Sequence, residues 1–172
     1  MTVSAYRIYP PPGTDKLLRL NLGCGDKKIA GFINLDNDPA CKPDMNWDIG
    51  LGLPYGENSV WEIQAIDLLQ CLPEGKLIHI MNICHCVLHP SGIMLVRVPN
   101  TLSKIDPSRA ISDPGYRRIF CEASFSYFDG ESEAWKARGN RLGIKPWKVS
   151  LLLLDGDAVI QATMSPVKSE SS

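Results

Sequence analysis

Short apolar runs separated by turn residues occupy much of the first hundred positions of the chain. They lie at residues 17–22, 31–36, 60–66 and 93–98, and each is bounded by Gly, Pro, Asn or Asp. Runs of this length between turn residues predict buried β-strands. A further, very short strand is predicted around residues 47–49.

One segment, residues 74–88, shows the helical period instead. Its apolar residues recur every three or four positions and form one face, which comprises Leu77, Ile80, Met81, Cys84, Val87 and Leu88. His-Pro-Ser-Gly at 89–92 predicts the turn that ends this helix. Shorter helices are predicted around 106–111 and 122–128, and a loop or frayed helix at 130–143.

The C-terminal part of the sequence contains a hairpin signal. Asp155-Gly156 separates two β-rich runs at 147–154 and 157–167, and Asp-Gly favours a tight turn between antiparallel strands. Strands that alternate with helices predict a parallel sheet. The predicted fold is therefore a Rossmann-like α/β fold, whose mostly parallel sheet ends in a C-terminal antiparallel hairpin.

Composition and charge narrow the class of protein. The 172 residues suit one domain, predicted at 17–167 after an extended lead-in at 1–16 and before a disordered tail at 168–172. The net charge of −1 gives no general attraction to nucleic acid or to an anionic membrane. Without a visible export signal or an apolar stretch of about 20 residues, the sequence predicts a cytoplasmic protein whose six cysteines are reduced.

A glycine turn and two acids are the candidate ligand-binding features. Gly23-Cys24-Gly25 follows the first predicted strand, where glycine permits a sharp turn and the close approach of a ligand. Asp36 ends the next strand and is a candidate acceptor for both hydroxyls of a ribose. Asp48 is a candidate acceptor for the adenine amino group, with Ile49 packing against the ring. The alternative for each acid is an ordinary turn aspartate.

These segments together resemble a known family. LNLGCG at 20–25, GFINLD at 31–36, and Asp48 followed by LPY at 53–55 are similar to class I S-adenosylmethionine-dependent methyltransferases, in particular their small type 11-like branch. The segments at 63–73, 87–92 and 113–120 resemble further blocks of that branch. The resemblance covers residues 17–128 and the terminal hairpin.

The resemblance implies S-adenosylmethionine (SAM) as the cofactor and methyl transfer as the reaction. The acceptor is unidentified; it is a small molecule, or a phosphorylated or nucleotide-like compound. Asp67, just past the fourth strand, is also a candidate general base, the alternative being a plain hydrogen-bond acceptor. The cofactor-binding residues that the resemblance implies are Leu22, Gly23, Cys24, Gly25, Asp36, Asn37, Asp48, Ile49, Asp67 and Leu68.

The sequence departs from the family at several places. Only residues 26–30 separate the glycine turn from Gly31, which predicts a first helix that is short or absent. Family members commonly carry His in place of Asp67, Glu-His in place of Gln70-Cys71, and His in place of Tyr116. These differences imply another acceptor or lost activity, so a non-catalytic SAM-binding module or an inactive partner subunit is the alternative function.

Other chemistries fit the sequence less well. A nicotinamide-dependent enzyme needs a third glycine where Lys28 stands. The Cys-His-Cys run at 84–86 faces different sides of a helix, so no metal site is predicted. A basic cluster with Trp135 and Trp147 is either a pocket for an anionic acceptor or, as we favour, a solvated loop; it comprises Lys136, Arg138, Arg141, Lys145 and Lys148. Nucleic acid is not favoured as a partner, and the oligomeric state is left open.

Overall fold

The computed structural model describes residues 17–168 and places seven strands in one sheet. The elements are β1 (Leu18–Leu22), β2 (Ile33–Asp36), β3 (Met45–Asn46), β4 (Val60–Ile66), α1 (Lys76–Val87), β5 (Leu88–Pro99), α2 (Glu122–Phe125), β6 (Trp147–Leu154) and β7 (Val159–Pro166). The strand order is β3-β2-β1-β4-β5-β7-β6. Strands β1 to β5 are parallel, and β7 is antiparallel to both β5 and β6. The predicted mixed sheet with its C-terminal hairpin is therefore confirmed.

The third strand lies slightly earlier in the chain than predicted. It comprises Met45–Asn46, and the prediction at 47–49 was wrong. Asp48 instead begins a single 3₁₀ turn, Ile49–Leu51, because its side chain accepts a hydrogen bond from the Gly50 amide at 2.8 Å. A side-chain cap of this kind ends the extended backbone and starts a turn.

The helix and the strand after it also differ from their predicted bounds. Helix α1 starts at Lys76 rather than at 74, after Gly75 in the left-handed region (φ 77°). Strand β5 begins directly after α1, at Leu88. Val60 pairs with Leu88 and Glu62 with Ile93, so the predicted turn at 89–92 is an irregular insertion within β5.

The hydrophobic core lies on one face of the sheet. Alternate strand residues point there and pack against α1 and the segment between β5 and β6; they include Leu20, Ile63, Met94, Val96, Ile160 and Ala162, all fully buried. On the opposite face, Gln64, Arg97 and Gln161 remain half-buried, and Arg97 Nε donates to Gln161 Oε1 at 2.8 Å. Along β4, β5 and β7 the sheet therefore has one apolar and one largely polar face.

A loop replaces the first helix, as the short spacing predicts. Residues 26–32 contain no helix and lie against β1 and β2 through two buried asparagines. Asn21 Nδ2 donates to Asn34 Oδ1 at 2.9 Å and to Lys27 O at 3.0 Å, and the Ile29 amide donates to Asn34 Oδ1 at 2.8 Å. Main-chain polar groups of the loop thus find partners that a helix would supply internally.

The segment between β5 and β6 folds mainly as short turns. It contains 3₁₀ turns at Pro107–Ala110 and Asn140–Leu142, α2, and a π-helical turn at Trp135–Gly139. Residues 1–16 and 169–172 lie outside the described part of the chain, with the predicted lead-in and nearly all of the predicted tail. Within the described part, no helix is both long and apolar enough to cross a membrane.

The predicted basic cluster lies far from the carboxyl ends of the parallel strands. The Lys145 amide donates to Asn82 Oδ1 at 2.9 Å, and Asn82 Nδ2 donates to Gly143 O at 2.7 Å, which places this segment against the second half of α1. Trp147 is fully buried, and Lys136 forms an ion pair with Glu133. The part of the cluster around Lys145 therefore lies at the opposite edge of the sheet from the carboxyl ends of the parallel strands.

Candidate functional site

A cleft of about 410 Å³ opens at the carboxyl ends of β1 to β4. The chain runs from β1 outward to β3 and then returns to β4 on the other side of β1. Loops that leave neighbouring strands in opposite directions create a crevice at such a point, and open α/β sheets bind ligands there. The fold alone therefore places a binding cleft between the glycine turn and the end of β4.

Seven of the ten predicted cofactor residues line this cleft. They are Gly23, Asp36, Asn37, Asp48, Ile49, Asp67 and Leu68. They come from four separate chain segments, each at or just past the end of a different strand. The sequence interpretation that grouped them required these strand ends to be neighbours, and the sheet order makes them so.

The other three predicted residues do not line the cleft. Leu22 is fully buried in the core, and Cys24 is buried in the glycine turn. Burial, helped by the charge of Asp36, raises the pKa of the Cys24 thiol, which keeps it protonated at neutral pH. Gly25 is half-buried, and its amide donates to the Asp36 carboxylate.

Two main-chain amides hold Asp36 in place. Gly25 N donates to Oδ2 at 2.8 Å, and Asp38 N donates to Oδ1 at 2.9 Å. A carboxylate has about four acceptor positions, so both oxygens can still accept hydrogen bonds from a ligand. The strand end thus presents an oriented acceptor pair at one side of the cleft.

Asp48 and Ile49 form the neighbouring wall. The Trp47 amide donates to Asp36 O at 2.8 Å, which fixes this segment beside β2. Asp48 Oδ1 is used by the Gly50 amide, which leaves Oδ2 without a hydrogen-bond partner in the described part of the chain. Trp47 and Ile49 add an apolar surface next to these acids.

Asp67 and Leu68 close the cleft on the β4 side. Asp67 adopts a left-handed backbone (φ 56°), and its amide donates to Arg97 O at 3.0 Å. Its carboxylate lies 3.5 Å from Lys27 Nζ, in an exposed ion pair. Leu68 packs directly over Gly23: a Cβ on that glycine would come within 2.5 Å of Leu68 Cδ1.

The sequence interpretation missed part of the lining, namely Trp47, Gly50, Cys71, Leu72, Pro73, Lys76 and Ile80. Lys76 carries a positive charge into the cleft and donates to Gly50 O at 3.2 Å. A signal for it existed, because a helix that follows a parallel strand must begin at that strand's carboxyl end. Burial raises the pKa of the Cys71 thiol, with smaller contributions from Asp113 and Asp67.

The charges and the backbone of the cleft favour a particular class of ligand. Three carboxylates, those of Asp36, Asp48 and Asp67, line it against the single ammonium group of Lys76. No helix begins at the glycine turn, so the donors that normally hold a pyrophosphate are missing from the described residues. The described residues also contain no group of three metal-binding side chains. The cleft therefore suits a ligand with hydroxyls, a flat ring and positive charge.

Solved structures share this architecture. A SAM-dependent methyltransferase from Archaeoglobus fulgidus aligns with a TM-score of 0.65 at 12% identity, over 88% of this chain and 87% of that chain. The fold is that of SAM-dependent methyltransferases. No protein-family model matches the sequence, and no curated protein matches it either.

Two further neighbours share the methyltransferase fold. One is described in a complex with SAM and HEP, and the other is named for methylation of 16S rRNA. DhpI, in a complex with SAM and HEP, aligns with a TM-score of 0.58 at 14% identity, over 91% of this chain and 81% of that chain. A 16S rRNA (adenine(1408)-N(1))-methyltransferase from Catenulisporales acidiphilia, with cosubstrate SAM, aligns with a TM-score of 0.53 at 12% identity, over 92% and 89%. The methyltransferase fold thus leaves the acceptor open.

Proposed function

We propose that the chain binds SAM in this cleft and transfers its methyl group to an acceptor. The observation that carries the proposal is the convergence of Asp36, Asp48 and Asp67 with an apolar wall at the switch point of a methyltransferase fold. Oriented carboxylates match ribose hydroxyls and an adenine amino group, and negative charge matches a sulfonium. SAM contains all of these groups and no pyrophosphate.

Within this proposal each wall has a separate task. Asp36 accepts the ribose hydroxyls, Asp48 and Ile49 hold the adenine, and Gly23, together with Leu68, borders the methionine part. Bound SAM would supply a methyl group on a cationic sulfur: an acceptor that attacked the methyl carbon in line would form the new bond as the carbon–sulfur bond broke, with the neutral thioether as the leaving group. The residues of the chain need chiefly to hold acceptor and cofactor in that line, because orientation alone gives large accelerations.

Asp67 stands where acceptor and cofactor would meet. We propose that it orients the acceptor and takes its proton, if that acceptor is a hydroxyl or amine. Asp67→Asn keeps the shape of the side chain and removes the basic oxygen. Once an acceptor has been identified, a drop in turnover of about 100-fold in this variant supports the role of Asp67 as general base. Unchanged turnover assigns Asp67 to hydrogen bonding alone.

Calorimetric titration with S-adenosylhomocysteine (SAH) tests the cofactor site without an acceptor. We expect micromolar affinity for SAH and no binding of NAD, which serves as the control ligand. Failure to bind SAH would overturn the proposed function. SAH binding combined with no turnover on a broad acceptor panel would favour the non-catalytic module over the enzyme.

Two neighbouring aspartates allow a matched comparison in the same titration. Asp36→Asn should weaken SAH binding by about 10- to 100-fold, because a hydrogen bond to a charged acceptor is lost. Asp38→Asn changes the same charge two residues away, at a position that caps a turn outside the cleft. It should leave the affinity unchanged, and an equal loss in both variants would contradict the ribose assignment.

A further inference from the structure

Strand β6 forms one edge of the sheet. Its neighbour on one side is β7, with which it pairs in an unbroken register from Trp147 to Leu154. On the other side, within the described residues, it is contacted only at its first residue, by a bridge to Asp129. The rest of that edge has no main-chain hydrogen-bond partner among the described residues.

The hydrogen bonds around Trp147 show which main-chain groups point outward. Trp147 N donates to Phe128 O at 2.8 Å and Trp147 O accepts from Gly130 N at 2.9 Å, both on the side away from β7. In an antiparallel strand the N–H and C=O of one residue point the same way, and the direction alternates along the chain. The outward groups after Trp147 are therefore those of Val149, Leu151 and Leu153.

The side chains of this edge lack the usual protection against pairing. Leu151, Leu152 and Leu153 are 37%, 53% and 38% exposed, so both faces of the strand present apolar surface. Residues 149–154 contain no charge, no proline and no bulge. Natural edge strands normally carry at least one of these. The apolar run at 151–154 is typical of a strand that is covered on both faces.

We propose that two copies of this chain associate by antiparallel pairing of their β6 strands about a two-fold axis at Leu151. In this register Leu151 lies opposite its own copy and Val149 lies opposite Leu153. All three outward residues are then paired in both copies. If the register is shifted by two residues, either one of these three residues has no partner among them or one must pair with Trp147. The main-chain groups of Trp147 are already bonded to Phe128 and Gly130.

The two ends of the strand fit the same arrangement. Lys148 of one copy lies opposite Leu154 of the other, next to the acidic turn Asp155–Asp157, whereas parallel pairing would bring Lys148 beside Lys148. The pairing stops where the segment at 128–130 already covers the edge. Because the outward main-chain groups of β6 pair with the same groups of a second copy, two chains are enough to complete the hydrogen bonds, and the assembly is a closed dimer with two-fold symmetry.

Sedimentation velocity on the full chain, from about 1 to about 200 µM, tests this pairing. We expect a monomer–dimer equilibrium with a dissociation constant in the micromolar range, since one strand pair buries a small interface. Leu151→Lys and Leu151→Glu should each abolish the dimer at these concentrations, because like charges then face each other on the axis. Leu142→Lys, at an exposed leucine beside α1, is the matched control and should not change the equilibrium.

Mixing the two charged variants distinguishes pairing from misfolding. Because Leu151 faces itself, an equimolar mixture of Leu151→Lys and Leu151→Glu should form a heterodimer, although neither variant dimerises alone. A parent chain that is monomeric throughout overturns the proposal. So does a dimer that both variants retain, or a mixture that stays monomeric while the parent dimerises.

Discussion

Gly23 and Gly25 share a backbone conformation but not an environment. Both lie in the left-handed region, with φ of 60° and 47°. A Cβ on Gly23 would meet Leu68 Cδ1 at 2.5 Å, whereas a Cβ on Gly25 would meet nothing within 4 Å. A side chain at the first glycine would therefore have to displace Leu68 at the cleft, whereas the second glycine is required only by the turn.

Alanine at each glycine should separate these two requirements. Gly25→Ala should lower the free energy of unfolding by about 1 kcal/mol and leave SAH affinity nearly unchanged. Gly23→Ala carries the same backbone cost and also displaces Leu68, which lines the cleft, so SAH affinity should fall at least tenfold. Urea unfolding and SAH titration measure the two effects, and equal affinities in both variants would contradict this division.

Among the structural elements, the loop at 26–32 takes the place of a first helix and is held to the sheet by a few hydrogen bonds. Asn34 is its main support, because its side chain accepts from Asn21 and Ile29 and donates to Asp44 Oδ2 at 2.6 Å. The main-chain N–H of Asn34 donates to the same carboxylate at 2.9 Å, and these two hydrogen bonds lower the pKa of Asp44. One buried side chain thus joins β1, β2, the loop and the approach to β3.

Asn34→Ala should therefore be costly. It leaves the buried Asn21 amide and the Ile29 amide short of an acceptor, and unsatisfied buried groups cost about 1–3 kcal/mol each. We expect the free energy of unfolding in urea to fall by about 2–4 kcal/mol. Asn46→Ala, which removes one exposed hydrogen bond to Asp36 O, is the control and should cost less than about 1 kcal/mol. Similar losses would show that Asn34 does not organise the loop.

Sequence patterns located the longer elements well, for reasons visible at particular residues. Strand β4 alternates between a buried face and a half-buried one and was predicted to the residue. The start of α1 was missed because it depends on the left-handed conformation of Gly75, which hydrophobic spacing does not report. The third strand was misplaced because Asp48 serves as a cap, a role that its type permits but does not require.

For the molecule as a whole, the sequence predicted those residues of the candidate site that lie at the carboxyl ends of strands. Gly23 and Asp67 follow predicted strands and Asp36 ends one, so a parallel sheet brings these three together, whereas Asp48 joins them because the third strand ends earlier than predicted. The position of Lys76 follows from the topology, because α1 comes after a parallel strand and so begins at the carboxyl ends of the strands. The position of Lys145, in the basic cluster, depends on its hydrogen bond to Asn82 of α1, and local spacing does not encode such a contact between distant segments.

His85 links the two halves of the fold. It lies on α1, nearly buried, with Nε2 at 3.0 Å from Pro146 O and 3.2 Å from Val167 O, at the two ends of the β6–β7 hairpin. Its ring meets Trp147 edge-on at 5.2 Å. Burial lowers the pKa of His85 from its ordinary 6.5 to about 4; hydrogen bonds to the two carbonyls oppose this, and the charges of Lys145 and Lys168 reinforce it.

This pKa makes the stability of the whole molecule depend on pH. Between about 6.5 and 4 the unfolded chain binds a proton at His85 that the folded chain does not, so the free energy of unfolding falls as pH falls, by up to about 3 kcal/mol. Urea unfolding across this range should show the slope in the parent and in His79→Gln, which changes an exposed histidine on the same helix. In His85→Gln the slope from this residue should vanish, with lower stability at neutral pH. A slope that persists unchanged in His85→Gln would assign the pH dependence to the carboxylates instead.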